Sequence, residues 1–380
     1  MTIVSIISDL QSRGIRLYLS DGRLRVNAPA GILTSDLKTL ITAHRAEIIE
    51  FLSRALKDED LKGAVIPRAP AAAEHPLSYQ QRQLWFLDTL DREHPVYNVP
   101  LVLRLRGPLD RVALEAALQA ISERHSALRT TFTLNAAEPV QRINPQSSFE
   151  LQTVELTPEA AHNEIRALVR CRFDLARDMP VRALLAKLRD DDHLFALTLH
   201  HIVCDGWSHH IVMRELSQAY SAISAGLTPS WTTKPIQYVD FAHWQQTPAI
   251  ESRILTGLET WRRRLDKLIG LLELPTDHPR PPRQTHCGRN IHFAIDSNLT
   301  SSLRSLAARH TCTMFMVMLA VFDVLLWRYT GQSDVVVGSP TANRIHEELE
   351  EAVGFFANTL ALRVKLAADR SFVDVLRQVR

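Results

Sequence analysis

Leu194-Phe195-Ala196-Leu197-Thr198-Leu199-His200-His201-Ile202-Val203-Cys204-Asp205-Gly206-Trp207-Ser208 decides the reading of this chain. Leu194 to Leu199 is apolar at every position but Thr198, and it predicts a strand from Leu194 to His201 that runs straight into two histidines. Alternate residues of a strand share a face, so His200 and His201 point in opposite directions. His201 keeps the parity of Phe195, Leu197 and Leu199, the more apolar set. A polar ring at the end of such a face must be hydrogen-bonded or functional. Asp205 lies four residues on, and Gly206 permits a tight turn beside it. Imidazole titrates near neutrality and can act as a general base, or it can hold an ammonium or a tetrahedral oxyanion by hydrogen bonds. Two diverging histidines without a third ligand at suitable spacing do not make a metal site, so no metal is expected there.

Outward from this stretch the chain reads as mixed α/β. Tyr79–Leu90 is predicted as a helix, Val99–Leu105 as a strand, and Leu109–His125 as an amphipathic helix with Val112, Leu114, Leu118 and Ile121 on one face. His209–Gly226, Ser297–Arg309 and Thr313–Tyr329 are predicted helices, and Asp334–Gly338 a strand. Residues 1–56 pattern as helix, hairpin, helix, helix. Ile3, Ile6, Ile7 and Leu10 recur at helical spacing before Gly14; alternating runs flank Ser20-Asp21-Gly22; Thr34 or Ser35 caps a helical stretch to about Leu56, broken near Ala43-His44. Residues 57–76 carry charge, Pro and Ala without periodicity and read as a linker.

The 380 residues provide ample apolar material for a large core, at 46% hydrophobic and 23% charged. A formal net charge of +2 gives no field that favours nucleic acid or an anionic membrane. The four cysteines, Cys171, Cys204, Cys287 and Cys312, lack CxxC spacing and suit a reducing cytoplasm, as free and mostly buried thiols. No signal peptide and no membrane span is read: the longest apolar stretch, Met314–Trp327, is interrupted by Asp323. Neither GxxxxGK[ST] nor GxGxxG occurs, and no metal, nucleotide or flavin requirement is expected anywhere in the chain.

The histidine stretch, HHxxxDG, resembles the third core motif of the condensation domain of nonribosomal peptide synthetases, within the chloramphenicol acetyltransferase-like superfamily. The likeness continues in order along the chain. Leu77-Ser78-Tyr79-Gln80-Gln81-Arg82-Gln83-Leu84-Trp85-Phe86-Leu87 is similar to the first motif and Arg124-His125-Ser126-Ala127-Leu128-Arg129-Thr130-Thr131-Phe132 to the second. Tyr238-Val239-Asp240-Phe241-Ala242-His243-Trp244-Gln245 is similar to the fourth and Val353-Gly354-Phe355-Phe356-Ala357-Asn358-Thr359 to the fifth. Residues 1–56 resemble a tubulysin-type docking domain of order α-β-β-α-α.

The resemblance implies an α/β (α+β) fold of two chloramphenicol acetyltransferase-like lobes in a V, residues 77–250 and 251–380, with the active site in a tunnel between them. It implies amide formation between donor and acceptor groups on peptidyl carrier proteins. Those carriers supply 4'-phosphopantetheine arms, so the chain itself binds no cofactor. His201 would act on the attacking amine, with His200 beside it. Asp205 would be structural and paired with Arg129, while Gly206 would allow close backbone approach and offer its N–H to the tetrahedral intermediate. Trp207, Ser208 and Asn358 complete the support, Asn358 near the interface of the lobes. Trp85, Trp207, Tyr238 and Trp244 read as packing residues.

The docking unit would capture the C-terminal tail of the upstream subunit as an added strand, with Arg16, Arg23 and Arg25 toward acidic partners or as solvated charges on an exposed edge. A downstream adenylation domain is a further implied partner. One departure stands out: the HQDxPF-like and RNPLF-like segments of the family are absent, so the second lobe is expected to be incomplete and the chain a fragment or naturally short. Two alternatives stay open, a CoA-type acyltransferase of the same fold and a non-catalytic docking and carrier-binding fragment; the docking unit at the N-terminus argues against an epimerisation domain. His200 and His201 exclude the DxxxxD of heterocyclisation domains. L- or D-donor preference and the groups joined are left open.

Overall fold

The computed structural model describes residues 6, 10, 15–20, 23–28, 33–49, 65–91, 93–146, 149–231, 234–268 and 270–380. They fall into two units, Met1–Ile66 with Ile345–Glu350, and Pro67–Arg344 with Glu351–Arg380.

In the first unit, strands β1 (Arg16–Ser20) and β2 (Arg23–Asn27) pair antiparallel, with Leu19 opposite Leu24. Helix α1 (Ser35–Ala43) follows, capped by Thr34, whose hydroxyl accepts from the Leu37 N–H at 3.4 Å. His44 interrupts the helix at the expected break, and residues 45–49 are helical again. Ile6, Leu10, Ile15, Leu37, Ile41 and Ile48 form the core. Gly14, the Asp21-Gly22 turn, the stretch 50–64 and the side chains of Arg16 and Arg23 lie outside the described residues.

The second unit opens with β3 (His75–Pro76), α2 (Tyr79–Leu90), β4 (Asn98–Arg106) and α3 (Arg111–Arg124). A 3₁₀ turn at Ser126–Arg129 leads into β5 (Thr130–Asn135), followed by β6 (Glu138–Ile143), β7 (Leu151–Glu155) and α4 (Pro158–Arg170). Then come β8 (Val181–Arg189), β9 (Asp192–His200), a 3₁₀ turn at His201–Val203, α5 (Gly206–Ser224), α6 (Tyr238–Gln245) and α7 (Pro248–Arg264). The remainder is α8 (Ser297–Arg309), α9 (Met314–Thr330), β10 (Asp334–Thr341), β11 (Asn358–Lys365) and α10 (Phe372–Val379).

A four-stranded sheet of order β4-β9-β8-β7 carries the histidine stretch; β7 and β8 are parallel and the other pairs antiparallel. Helix α4 covers one face, packing Ala161 and Ile165 onto Leu184, Ala186, Leu194 and Ala196. On the other face Leu118 and Ile121 of α3 and Val212 of α5 gather with Val181, Leu197 and Leu199 around a small void. Strand β9 is therefore apolar continuously because both of its faces are covered. Strands β3-β6-β5 make a second, antiparallel sheet, and β10-β11 a third around which α8, α9 and α10 pack Ala307, Val317, Ala320, Leu326, Val335, Val364 and Leu376.

Three expectations are corrected. Val112 is exposed, and the buried face of α3 is Ala113, Leu114, Ala117, Leu118, Ile121 and Ser122; the stripe is rotated because small residues let α5 pack closely. The segment read as linker ends in ordered structure: the buried Asp240 accepts from the Ala69 N–H at 2.8 Å and from Arg68 at 2.9 Å, and His75 pairs opposite Gln141. The four cysteines are free but not mostly buried: Cys204 is buried, Cys312 intermediate, and Cys171 and Cys287 exposed.

Among the described residues no single helix is long and apolar enough to cross a membrane. Helices α8 and α9 together have the length and composition, but they are bent by 104° and contribute Ala307, Val317 and Ala320 to a core.

Candidate active site

Strand β9 stops at His200, one residue earlier than the alternation predicts, and His201 opens the 3₁₀ turn. The two histidines diverge for that reason and not through strand parity. His200 is buried. Its Nδ1 accepts from the Ile202 N–H at 3.1 Å, which assigns the ring proton to Nε2, 3.5 Å from Asp88 Oδ1. Arg172 holds the same carboxylate at 3.0 Å, and the rings of Phe173 and Tyr97 flank the imidazole at 5.9 and 6.1 Å. Burial pushes His200 below the usual histidine value, with Asp88 opposing, so at neutral pH it is an uncharged wedge with both nitrogens committed.

His201 is half-buried and differently placed. Its backbone N–H donates to the Tyr97 carbonyl at 2.8 Å, and its Nδ1 lies 2.6 Å from the Cys204 carbonyl. A carbonyl only accepts, so Nδ1 carries the proton and the lone pair sits on Nε2. Nε2 makes no hydrogen bond to the described residues, and the edge of the Phe355 ring lies against the imidazole, centroids 4.8 Å apart. The imidazole has a fixed tautomer, and its unprotonated nitrogen is uncommitted among the described residues.

Asp205 caps α5. Its Oδ1 accepts from the Ser208 N–H at 2.8 Å and from Arg344 Nη2 at 3.2 Å, and its Oδ2 from the Phe356 N–H at 3.1 Å. The basic partner of the carboxylate is Arg344 and not Arg129. Arg129 ends its 3₁₀ turn with its guanidinium donating to the Asn144 carbonyl, which closes the β5–β6 hairpin instead. Arg344 donates from Nη1 to the Ala352 carbonyl at 2.7 Å and from Nη2 to Ser208 Oγ at 2.8 Å, and lies 4.2 Å from the Phe356 ring centroid. The Arg344 and Asp205 side chains are each 3% exposed. Burial draws the guanidinium below its ordinary value and Asp205 resists this; arginine remains a cation. The sequence holds one signal for it: Arg344 is the single Lys or Arg from Tyr329 to Leu362.

Ser208 Oγ donates to the Gly354 carbonyl at 2.7 Å and accepts from the Gly354 N–H at 3.1 Å. Gly354 is fixed by space: a Cβ there would stand 1.7 Å from Tyr238 Cδ2. The Tyr238 phenol, pushed up by burial, bonds Ser78 Oγ at 2.7 Å and donates to the Phe355 carbonyl. Tyr238 is thus packing and fastening together, and residue order alone does not mark Gly354 as its counterpart. Gly206 needs no turn. It opens α5 without a left-handed φ, and a Cβ there would meet nothing within 4 Å. Trp207 is 47% exposed, with the Arg344 guanidinium 5.7 Å from its ring centroid; Asn358 is exposed at the start of β11. Arg25 is exposed on β2.

All five sequence motifs meet here. Ser78 and Gln81 of the first form a capping box that Tyr238 of the fourth fastens. His125 of the second bonds Glu215 of α5 at 2.7 Å, and the Ser126 N–H donates to Gln237 at 2.8 Å. The third and fifth are stitched through Asp205, Ser208 and Arg344.

A model of the condensation domain matches residues 71–380, and a model of the TubC N-terminal docking domain matches residues 3–54. The chain belongs to the condensation domain family and carries a TubC-type docking domain ahead of that region. It is 39% identical over 331 residues to malpibaldin synthetase of Mortierella alpina, covering 86% of this chain and 6% of that protein. It is 40% identical over 361 residues to phosphinothricin tripeptide synthetase PhsC of Streptomyces viridochromogenes, covering 91% of this chain and 33% of that one. The chain therefore spans a third or less of the length of these relatives. The solved complex of the X-domain and OxyB from teicoplanin biosynthesis contains a chain 29% identical, with a TM-score of 0.77, covering 83% of this chain and 70% of that one. Condensation domains of peptide synthetases form peptide bonds and work with the phosphopantetheine arms of carrier proteins.

Proposed function

We propose that this chain joins a donor acyl or peptidyl thioester to an acceptor amine, both held on 4'-phosphopantetheine arms of carrier proteins, in the cytoplasm. The amine nitrogen attacks the thioester carbonyl, the carbon–sulfur bond breaks, and the donor thiol leaves with the proton given up by the amine. His201 Nε2 accepts a hydrogen bond from the attacking amine and carries that proton onward. The single observation behind this role is the short Nδ1 contact to the Cys204 carbonyl, which keeps the lone pair on Nε2. Asp205, Arg344 and Ser208 act by holding the loop. Product formation from loaded carriers is the test: His201→Ala loses at least roughly 100-fold in turnover, as loss of a general base does, with an unchanged melting temperature. Near-normal turnover overturns the role.

The docking unit captures the tail of the upstream subunit along the β1–β2 hairpin, a two-stranded sheet among the described residues, with Arg25 exposed beside the edge. A second reading, recruitment of another protein without chemistry, draws on the X-domain solved with OxyB. Unchanged partner capture together with no product from the wild-type chain would favour it.

A further inference from the structure

Asp91, His94 and His286 converge from two separate parts of the second unit. Asp91 caps the C-terminus of α2, and His94 follows three residues on in the loop. His286 comes from residues 271–295, a stretch with neither helix nor strand whose backbone turns left-handed at His286 itself, with φ of 54°. His94 Nδ1 lies 3.0 Å from both Asp91 oxygens, and His286 Nε2 lies 3.1 Å from Asp91 Oδ2. The two imidazoles stand with centroids 5.2 Å apart, and the three ligand atoms are all within 4.8 Å of one another. The carboxylate is also oriented from behind by the Glu93 and His94 N–H groups at 3.1 and 3.3 Å. The cluster shares no residue with the histidine motif.

Tetrahedral zinc with bonds of about 2.0–2.2 Å sets its ligand atoms about 3.3–3.5 Å apart. Two of the observed separations fall just short of that spacing, so an ion enters by a small spreading of groups already convergent. Two imidazole nitrogens and one carboxylate are the donor set of an open zinc site or of a borderline first-row divalent ion. All three side chains are partly exposed, so the ion has a path in and a water for its fourth position.

We propose that Asp91, His94 and His286 bind a divalent transition ion of the zinc class, and that the ion clamps residues 271–295 to the loop after α2. The clamp sits beside the motif: Tyr97, six residues beyond Asp91, packs its ring on His200. Filling the site replaces the N–H protons of the His–Asp–His chain with metal bonds.

The test uses the whole chain without an affinity tag, in a non-chelating buffer. Zinc chloride titrated in a calorimeter gives one equivalent bound, and cobalt substitution gives the visible absorption of a tetrahedral ion. His94→Ala and His286→Ala each weaken zinc by more than the roughly 10–100-fold that loss of an outer-sphere partner costs. Trypsin reads the clamp separately: zinc slows cleavage after Arg283 and Arg289 in the wild-type chain and in neither variant. Equal zinc affinity in both variants, binding with more than one equivalent and no site dependence, or no binding at all overturns the proposal.

Discussion

Replacing Arg344 tests the arrangement that holds the histidine loop. The Arg344→Ala chain loses donors to Asp205, Ser208 and the Ala352 carbonyl at 3.2, 2.8 and 2.7 Å. More important, it leaves the Asp205 carboxylate 3% exposed without its cation. Removing one partner of a buried pair costs about 3–5 kcal/mol, because the remaining charge stays desolvated. The Ser208 and Phe356 N–H groups still bond the carboxylate and keep the cost inside that range. Unfolding entropy of about 2.1 cal/mol/K per residue over roughly 300 residues turns this into a fall of about 5–8 °C in melting temperature. Calorimetry or chemical denaturation measures it. Arg344→Lys recovers part of the loss, since an ammonium restores charge but not the fork that reaches three acceptors. The Asp205→Asn, Arg344→Met pair loses less than its two single changes added, by about 2 kcal/mol or more. A shift below about 2 °C for Arg344→Ala, or strict additivity of the pair, refutes the reasoning.

Two glycines separate space from conformation. Gly354→Ala drives a methyl into Tyr238 and loses about 3 kcal/mol or more in denaturant unfolding. Gly206→Ala, opening into free space, leaves stability unchanged or raises it by up to about 1 kcal/mol; a fall in turnover of loaded carriers at constant stability would show that the space serves the substrate. Asp323 gives a pH signature. It is fully buried in α9 with neither oxygen bonded, and burial pushes its carboxyl up to about 6. Because the folded-state value lies above the roughly 3.9 of an unfolded aspartate, the fold loses stability as pH rises from about 4 to about 6, and the penalty is constant above that and absent well below pH 4. The stability of Asp323→Asn relative to wild type therefore rises by about 2–2.5 kcal/mol between pH 4 and pH 8, read by denaturation at each pH.

Much of this was legible in residue order. Tyr79–Leu90 and Ser297–Arg309 form with the predicted ends because Ser78 and Asp296 supply caps that a reader can see. Apolar β9 and the histidines behind it are equally plain. What periodicity could not supply is which faces are covered. Parity set His201 on an apolar face of β9, but α4 and α3 with α5 cover both faces and the strand ends before it. The partner of Asp205 is illegible for a related reason. Two arginines, 129 and 344, have the right chemistry, and only the fold brings one of them to the carboxylate. Gly354 gives no sequence sign of its purpose, since the ring that forbids a side chain there lies 116 positions away, at Tyr238.

The stitching of the histidine loop has a consequence for biosynthesis. Asp205 is fastened by groups 139 and 151 positions further along the chain. At about 5–20 residues per second, the ribosome takes about 8–30 s to make that interval. Throughout it the loop after His201 lacks the cation that the folded chain sets against Asp205. The fastening of Asp205 is completed only once the connection between β10 and β11, which carries Arg344 and Phe356, has been made.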